Sequence, residues 1–561
     1  MFRRFGRRVV DTPALCPLNV VSENEERAAT AATPRAAAAP RATIHPGWRV
    51  VASALVLLVG IWARLWEFGT VPPGLNVDEA SIGVEAYYLY KYGMDRNGIT
   101  FPVHLISWGS GQNAPYAYVL IPFVVLGDLD AVSIRLPMLL AGIFALPLAF
   151  IVGNRLGGYR LGLLSMALVA ISPWHIITSR WAVESNLFPF VFLLSFAMLL
   201  HSRSDNIWFV LALLGFAASL YTYGTAYLAV PAFLALSLPI LWRARRLTLP
   251  QLLFGLLVFS GIAAPVGLFL AVNSLKLESI RIGLITIPRL PVEARYESMA
   301  AVFSPEPIRS MAANLAVMWR LLWTQADAYP WNHVEPFGYF YAITFPIALA
   351  GIWLLWTRRS TAAHGADCGL LLAWLASTGL IGLMHPVNLT RLNLIFTPLI
   401  VSIAVALLAL EDRLRHSLTV IGTALLIGFG FFTAAYHGEA YEQRASGVFN
   451  AGIIAATEYA SDVSDALVCF TEQSYSAYIY VLLTQKTRPS EYLTGIEWLA
   501  PADPQDPART PRALGRYRFR LADCGADPDA VYVLTLRESP PQPTVDYRSR
   551  QFGKFRVFVP K

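Results

Sequence analysis

Eleven long apolar blocks punctuate this chain of 561 residues, and they limit its fold more than any motif does. They run near 48–66, 133–154, 161–178, 186–201, 206–223, 225–242, 250–272, 337–356, 366–384, 393–410 and 417–436. A helix needs about 20 apolar residues to cross the hydrocarbon core, where lipid offers backbone N–H and C=O groups no partner. Only 14% of the residues are charged, against about 25% in soluble domains. The pattern predicts an all-α polytopic membrane protein of about eleven transmembrane helices. The net charge of +7 then belongs to loops. No Arg/Lys stripe interleaved with aromatics lies on a soluble stretch, so nucleic acid is not an expected partner.

The ends of the chain differ from its middle. Residues 1–47 combine the basic "MFRRFGRRVV" with Ala/Pro/Arg low complexity, which cannot bury a core and reads as a disordered tail. The first apolar run lies too deep for a cleaved signal peptide and is taken as an uncleaved span. One shorter run, "PYAYVLIPFVVLG" (Pro115–Gly127), reaches only about 20 Å as a helix against a core of about 30 Å. If it stays re-entrant or interfacial, "NRLGGYR", "HSRSD", "WRARR", "WTRRS" and "EDRLRH" all face the side of the basic N-terminus. Cytoplasmic loops are enriched in Lys and Arg. The expectation is a multi-pass protein of the plasma (inner) membrane with a cytoplasmic N-terminus. A membrane domain over 48–436 then sends loops 67–132 and 273–336 to the outside, together with the C-terminal 437–561.

Within the second of those loops, Ser304 and Pro305 read as the N-cap and first position of a helix. Ile308, Met311, Leu315, Met318 and Leu322 would share one face of it, as in an amphipathic helix on the membrane surface. The C-terminal stretch predicts a small α/β domain, with strands at "DALVCF", "DAVYVLTL" and "KFRVFVP" and helices near 448–460 and 474–484. Cys469 and Cys524 fall in it, either bridged or as two buried thiols. Cys16 and Cys368 are too isolated for a metal site. A divalent metal is left open and is not indicated by any ligand pattern.

Charges beside a bilayer are costly and mark functional candidates. Asp78, Glu79 and Glu85 follow the first span in "PGLNVDEASIGVEAYYLYKYG". Asp78 could instead be only the N-cap of a helix beginning near Glu79, and Glu85 a solvated face or local ion pair. Arg180 and Glu184 occupy "ITSRWAVESNLF", where an i,i+4 ion pair is the structural alternative. His385, Asn388 and Arg391 occupy "MHPVNLTRLN". All three loops open on one face. Together they offer a base for an acceptor and positive charge for a leaving phosphate.

The segments "GLNVDEASIGVEAYYLYKYGMDRNG", "GSGQNAPYAYVLIPFVVLG" and "SIRLPMLLAGIFALPLAF" resemble the opening of GT-C glycosyltransferases. The nearest likeness is to the bacterial protein O-mannosyltransferase and aminoarabinose transferase group. "ISPWHIITSRWAVESNLFPFVFLL" and "NLTRLNLIFTPLIVSIAVAL" resemble further segments of it, so the likeness spans about residues 46–436. It implies a polyprenyl-phosphate sugar donor and a lipid, polysaccharide or protein acceptor, all among membrane lipids. It also implies that Asp78 is the catalytic carboxylate with Glu79 beside it, and that Glu184 is the second acidic position. Many relatives carry a Lys-Pro-Pro-like motif where this chain has "GQNAPYAY". Gln112 and Asn113 bring no charge, so the donor phosphate would fall to Arg391 or Arg180, with Asn388 and His385 nearby. The sequence contains neither a Walker loop nor a dinucleotide fingerprint, as suits a donor already activated on a lipid. A transporter or lipid flippase is the rival class. It would call for internal repeats and broken midplane helices, and no clear repeat is present.

Overall fold

The computed structural model describes residues 46–203, 205–292, 301–329, 331–341, 343–359, 364–474, 476–499, 511–525, 527–542 and 544–561. Of the tail expected over 1–47, residues 1–45 lie outside these residues, and 46–47 already belong to the first helix. In chain order the helices of the first part are α1 (Pro46–Leu65), α2 (Val77–Tyr92), α3 (Pro115–Leu126), α4 (Ala131–Gly157), α5 (Tyr159–Ile171), α6 (Pro173–Thr178), α7 (Glu184–His201) and α8 (Ile207–Ser219). They continue with α9 (Ala226–Arg243), α10 (Leu249–Ser274), α11 (Pro307–Thr324), α12 (Thr344–Arg358), α13 (Gly365–Met384), α14 (Leu389–Leu392), α15 (Phe396–Glu411) and α16 (Ser417–Tyr436).

All eleven expected blocks contain helix, but they are not equally long. Among the described residues, eight runs have the length and hydropathy to cross a membrane: α1, α4, α7, α9, α10, α13, Leu389–Glu411 and α16. The other three are shorter. The block at 161–178 breaks at Ser172, ahead of Pro173, into α5 and α6. The one at 206–223 ends at Ser219 before a run of turns. The one at 337–356 becomes helical only at Thr344, after left-handed Gly338 and Tyr341.

Burial sorts the spans. In Leu389–Glu411, 89% of the apolar window is buried, against 17% in α1, α10 and α16. A helix apolar all round belongs at a bundle centre when other helices cover it. α15 accordingly packs against α5 and α12, with α16 outside it. Aromatic rings fill the adjoining core: Trp374 lies 4.7 Å from Phe192 and 4.9 Å from Phe196.

α11 starts at Pro307 behind Glu306, not at Pro305. Its apolar residues face two ways. Leu322 is buried, and Met318 presses on Gly382 of α13, while Ile308, Leu315, Trp319 and Trp323 are exposed. The expected single face is therefore split between protein and surroundings.

The region after α16 carries α17 (Glu439–Val448), α18 (Ile453–Val463), α19 (Tyr478–Gln485) and α20 (Pro489–Gly495). A small antiparallel pair, β1 (His104–Leu105) with β2 (Gln112–Asn113), lies earlier in the chain, as does β3 (Ile280–Ile282) with β4 (Ile285–Ile287). The C-terminal strands are β5 (Val468–Phe470), β6 (Ile496–Trp498), β7 (Pro511–Leu514), β8 (Tyr517–Arg518), β9 (Val531–Thr535), β10 (Tyr547–Phe552) and β11 (Phe555–Pro560). They form one sheet in the order β10-β11-β9-β5-β8-β7-β6, with β9, β5 and β8 parallel. The three strands expected from sequence are β5, β9 and β11, and Cys469 and Cys524 are bridged with Cα atoms 6.1 Å apart.

Residues 50–561 form one compact unit, and α2 shows how the membrane part joins the sheet. Residues Glu79 to Ala86 of α2 are all buried, along with Tyr88 and Leu89. Its small residues allow two layers to close on it. A Cβ on Gly83 would meet Ile134 of α4 at 2.7 Å and Leu483 of α19 at 3.5 Å. One apolar core thus runs from α2, α3 and α4 into α18, α19 and the sheet.

Candidate functional site

The start of α2 is built by a capping box. Asn76, not Asp78, is the N-cap: its Oδ1 accepts from the Asp78 N–H at 2.9 Å. Glu79 returns the bond, accepting from the Asn76 N–H at 3.0 Å. The box leaves Asp78 in the first turn with its carboxylate outside the capping pattern. The Trp108 indole N–H donates to Asp78 Oδ1 at 3.0 Å.

Glu79 is fully buried, and its partners are structural. Arg135 of α4 donates from Nε to Oε1 at 2.7 Å and from Nη2 to Oε2 at 2.8 Å. The Ala182 N–H adds a bond to Oε1 at 2.9 Å. Arg135 further donates to the carbonyls of Pro72 and Gly74. This is the bidentate geometry that makes a buried Arg–carboxylate pair tolerable.

Glu85 is also buried and turns away from solvent. It faces Arg96, whose N–H donates to Oε2 at 2.9 Å and whose Nε lies 3.4 Å from Oε1. Burial pushes the Glu85 carboxyl up to about 7. Arg96 lies 4.8 Å over the Trp108 ring and donates from Nη1 to Ser81 Oγ at 2.6 Å. The sequence alternatives for Glu85 resolve to a buried ion pair behind the Trp108–Asp78 contact.

An open cleft has an empty volume of about 720 Å³. Gln112, Asn113, Glu184, His385 and Arg391 line it, with His104, Thr225, Tyr227 and Phe269. Five sequence candidates from three separated loops thus meet in one place. Glu184 opens α7, where its negative charge suits the helix N-terminus, and Gln112 Nε2 donates to its Oε2 at 3.1 Å. Asn113 donates to the Tyr221 carbonyl at 2.9 Å and to the Tyr227 hydroxyl at 3.2 Å. Arg391 donates from Nη1 to the Pro386 carbonyl at 2.8 Å.

Asn388 is the N-cap of α14, accepting from the Arg391 N–H at 3.0 Å. Its side-chain oxygen is used to start the helix that carries Arg391. Arg180 does not reach the cleft. It is fully buried and donates to the carbonyls of Val71, Trp66 and Glu67, with Tyr436 beneath its guanidinium. The i,i+4 pair with Glu184 does not form, because the chain leaves helix α6 after Thr178 and re-enters helix only at Glu184, and Arg180 is bonded to carbonyls at the end of α1.

Asp78 is not among the residues that line the cleft, but it is linked to its wall. The link is the 107–112 loop, which gives Trp108 to Asp78 and Gln112 to Glu184, with Ser107 Oγ donating to Gln112 Oε1 at 3.0 Å. Sequence reasoning overlooked Trp108, His104 and Asp327. His104 stacks on Phe269 at 4.3 Å, and burial lowers its imidazole to about 4, so it is neutral in the cleft wall. Asp327 Oδ2 accepts from the Leu389 N–H at 2.8 Å and from Asn332 at 3.0 Å, anchoring the loop of Arg391. These contacts join residues far apart in the chain and leave no local signal. Among the described residues, no group of three His, Cys, Asp or Glu side chains converges as a metal set.

Residues 54–280 match the family model of dolichyl-phosphate-mannose-protein mannosyltransferases. No curated protein matches the chain by sequence. Among solved structures, the chain resembles ArnT from Cupriavidus metallidurans, solved bound to undecaprenyl phosphate. The identity is 13%, the coverage 92% of this chain and 98% of that one, and the TM-score 0.54. It also resembles the oligosaccharyltransferase AglB from Archaeoglobus fulgidus at 13% identity and TM-score 0.45, covering 79% of this chain. The chain spans only 64% of that larger protein. The family-model match over residues 54–280 and the fold shared with ArnT support a GT-C-type membrane glycosyltransferase.

Proposed function

We propose that the chain transfers a hexose or pentose from a polyprenyl-phosphate donor to an acceptor hydroxyl at the extracytoplasmic face of the plasma membrane. The N-terminus is then cytoplasmic and the C-terminal region lies outside. One observation carries the reading: the cleft gathers a carboxylate, Glu184, and a guanidinium, Arg391, with Asp78 tied to the same loop through Trp108. The bound undecaprenyl phosphate of the similar ArnT structure and the mannosyl donor named by the family model support the donor class.

In this mechanism Asp78 takes the proton from the acceptor hydroxyl. The oxygen attacks the anomeric carbon as the bond to the phosphate oxygen breaks. Polyprenyl phosphate leaves with that electron pair, and the anomeric configuration inverts. Trp108 holds one carboxylate oxygen of Asp78 and so fixes the orientation of the base. Arg391 receives the charge that grows on the phosphate, through a planar fork suited to phosphate oxygens. General-base assistance contributes about 10²–10⁴-fold, and charge stabilisation in the cleft the rest.

The test uses purified protein in nanodiscs with radiolabelled polyprenyl-phosphate mannose, glucose and aminoarabinose, supplied with membrane extracts. One label should move to an extract component. Asp78→Asn should abolish that transfer without loss of folded protein, because Asn76 and not Asp78 caps the helix. Near-normal turnover by the Asn variant would remove Asp78 from the chemistry.

A further inference from the structure

The short segment that presents Asp78 is held from two sides, and one of them is the C-terminal region. On the membrane side, Arg135 takes the carbonyls of Pro72 and Gly74. On the other side, the Tyr480 hydroxyl of α19 donates to the Leu75 carbonyl at 2.9 Å. Asn450 donates in turn to the Tyr480 oxygen at 2.8 Å. Asn76 does two things with one side chain. Its Oδ1 caps α2 at the Asp78 N–H, and its Nδ2 donates to the Val448 carbonyl at 3.3 Å.

The approach is close enough to exclude side chains. Gly74 has φ +76°, and a Cβ there would fall 2.3 Å from the Phe449 carbonyl oxygen. Residues 447–452 are themselves fixed to the β10–β11 hairpin. Lys554 donates from its N–H to the Ala451 carbonyl at 3.1 Å and from Nζ to the Gly447 carbonyl at 2.7 Å. Tyr480 is fully buried and Asn76 and Asn450 nearly so, so water does not compete for these bonds. A mechanical path of fixed contacts runs from the sheet to the residue two positions before Asp78.

We propose that the C-terminal region clamps the carboxylate loop, with Tyr480 and Asn76 as positioning residues for Asp78. The inference rests on the reading of Asp78 as the base. A carboxylate must be held within about 0.5 Å of its productive place, and a misplacement of about 1 Å can cost about 10²-fold. The C-terminal region would thereby be part of the catalytic apparatus, although none of its described residues lines the cleft.

The experiment uses the full chain in nanodiscs with polyprenyl-phosphate mannose. Tyr480→Phe keeps the ring and removes the bond to Leu75. Asn76→Ser keeps a capping oxygen and loses the reach to Val448. Each should lower kcat about tenfold and leave the donor KM unchanged, with the folded fraction matched by thermal denaturation. A purely structural role predicts lost stability with kcat per folded molecule intact, and that result overturns the proposal.

A second arm places Tyr480→Phe in an Asp78→Glu background, where the carboxylate is already displaced. The Tyr480 effect should shrink toward none. An undiminished effect shows that Tyr480 does not act through Asp78 and likewise overturns the clamp. Full activity of Asp78→Asn is a separate result that removes the base assignment itself, so the two failures are told apart.

Discussion

Glu79 and Glu184 both stand in the first turn of a helix, and the two helix starts have opposite surroundings. At the start of α2 every oxygen of Glu79 is used: two bonds from Arg135, one from Ala182 and one from Asn76. At the start of α7, Glu184 faces an open cleft and receives the amide of Gln112. The same residue type in the first turn of a helix, at the third position of α2 and the first of α7, serves as a cross-link in one place and lines a cleft in the other. Burial with full hydrogen bonding spends a carboxylate on the fold, whereas the partly exposed Glu184 lies in a cleft wall. Asp78, the immediate neighbour of Glu79, is like Glu184 only partly buried.

The strongest break of the contrast is Arg135→Ala. It leaves Glu79 as an uncompensated buried charge, which costs about 3–5 kcal/mol. Most of the protein should fail to fold, measured as the monodisperse fraction on size exclusion after extraction. Survival at wild-type yield would mean that the Glu79 site admits water and resembles Glu184 after all.

Glu85 is the intermediate case, buried like Glu79 but with fewer bonds. Its carboxyl is raised from an ordinary 4.5 to about 7, chiefly by burial. Between those values the folded chain keeps a proton that the unfolded chain has already released. Stability therefore falls as pH rises from about 4.5 to about 7 and levels off above that, by roughly 3 kcal/mol at most. Thermal denaturation at pH 5 and pH 8 should show the slope, and Glu85→Gln should flatten it. An unchanged slope in the variant would assign it to another group.

Glu184→Gln should do the reverse of Arg135→Ala. The amide fits the half-exposed cleft wall, so the melting temperature should hold while transfer falls about 10²-fold. A variant that loses stability instead of turnover would turn Glu184 into a second cross-link.

The contrast also explains what could be read from the sequence. The apolar blocks gave the bundle, because lipid imposes one spacing on every span. β5, β9 and β11 were visible as Val- and Phe-rich runs, whereas the edge strand β10, "YRSRQF", carries charge on exposed positions and reads as loop. The candidates that meet in the cleft were found because charges beside a membrane are rare. Their partners were hidden. Glu79 and Arg135 are 56 positions apart, and Arg180 binds carbonyls about 110 positions upstream. The cap was misplaced by two residues because Asn76 and Asp78 are equally good caps by type, and only the return bond from Glu79 chooses between them.

The smallest expected effect sharpens the contrast at the cationic side of the cleft. Arg135 and Arg391 are both arginines at functional-looking positions, but Arg135 has its guanidinium spent on Glu79 and two carbonyls. Arg391 is held by the cap of Asn388 and by the Asp327 bond to Leu389, and its side chain reaches the cleft wall. If it merely extended toward lipid headgroups, lysine would serve equally well. If it binds the donor phosphate, lysine keeps the charge and loses the fork. Arg391→Lys should then bind polyprenyl-phosphate mannose about tenfold more weakly, a loss of about 1.4 kcal/mol, and Arg391→Ala more weakly still. Both variants should retain the wild-type melting temperature, because the helix cap at Asn388 uses the backbone N–H of residue 391 and not its side chain. Equal affinity in all three proteins would move the phosphate to another part of the cleft wall and leave Arg391 as a lipid-facing charge.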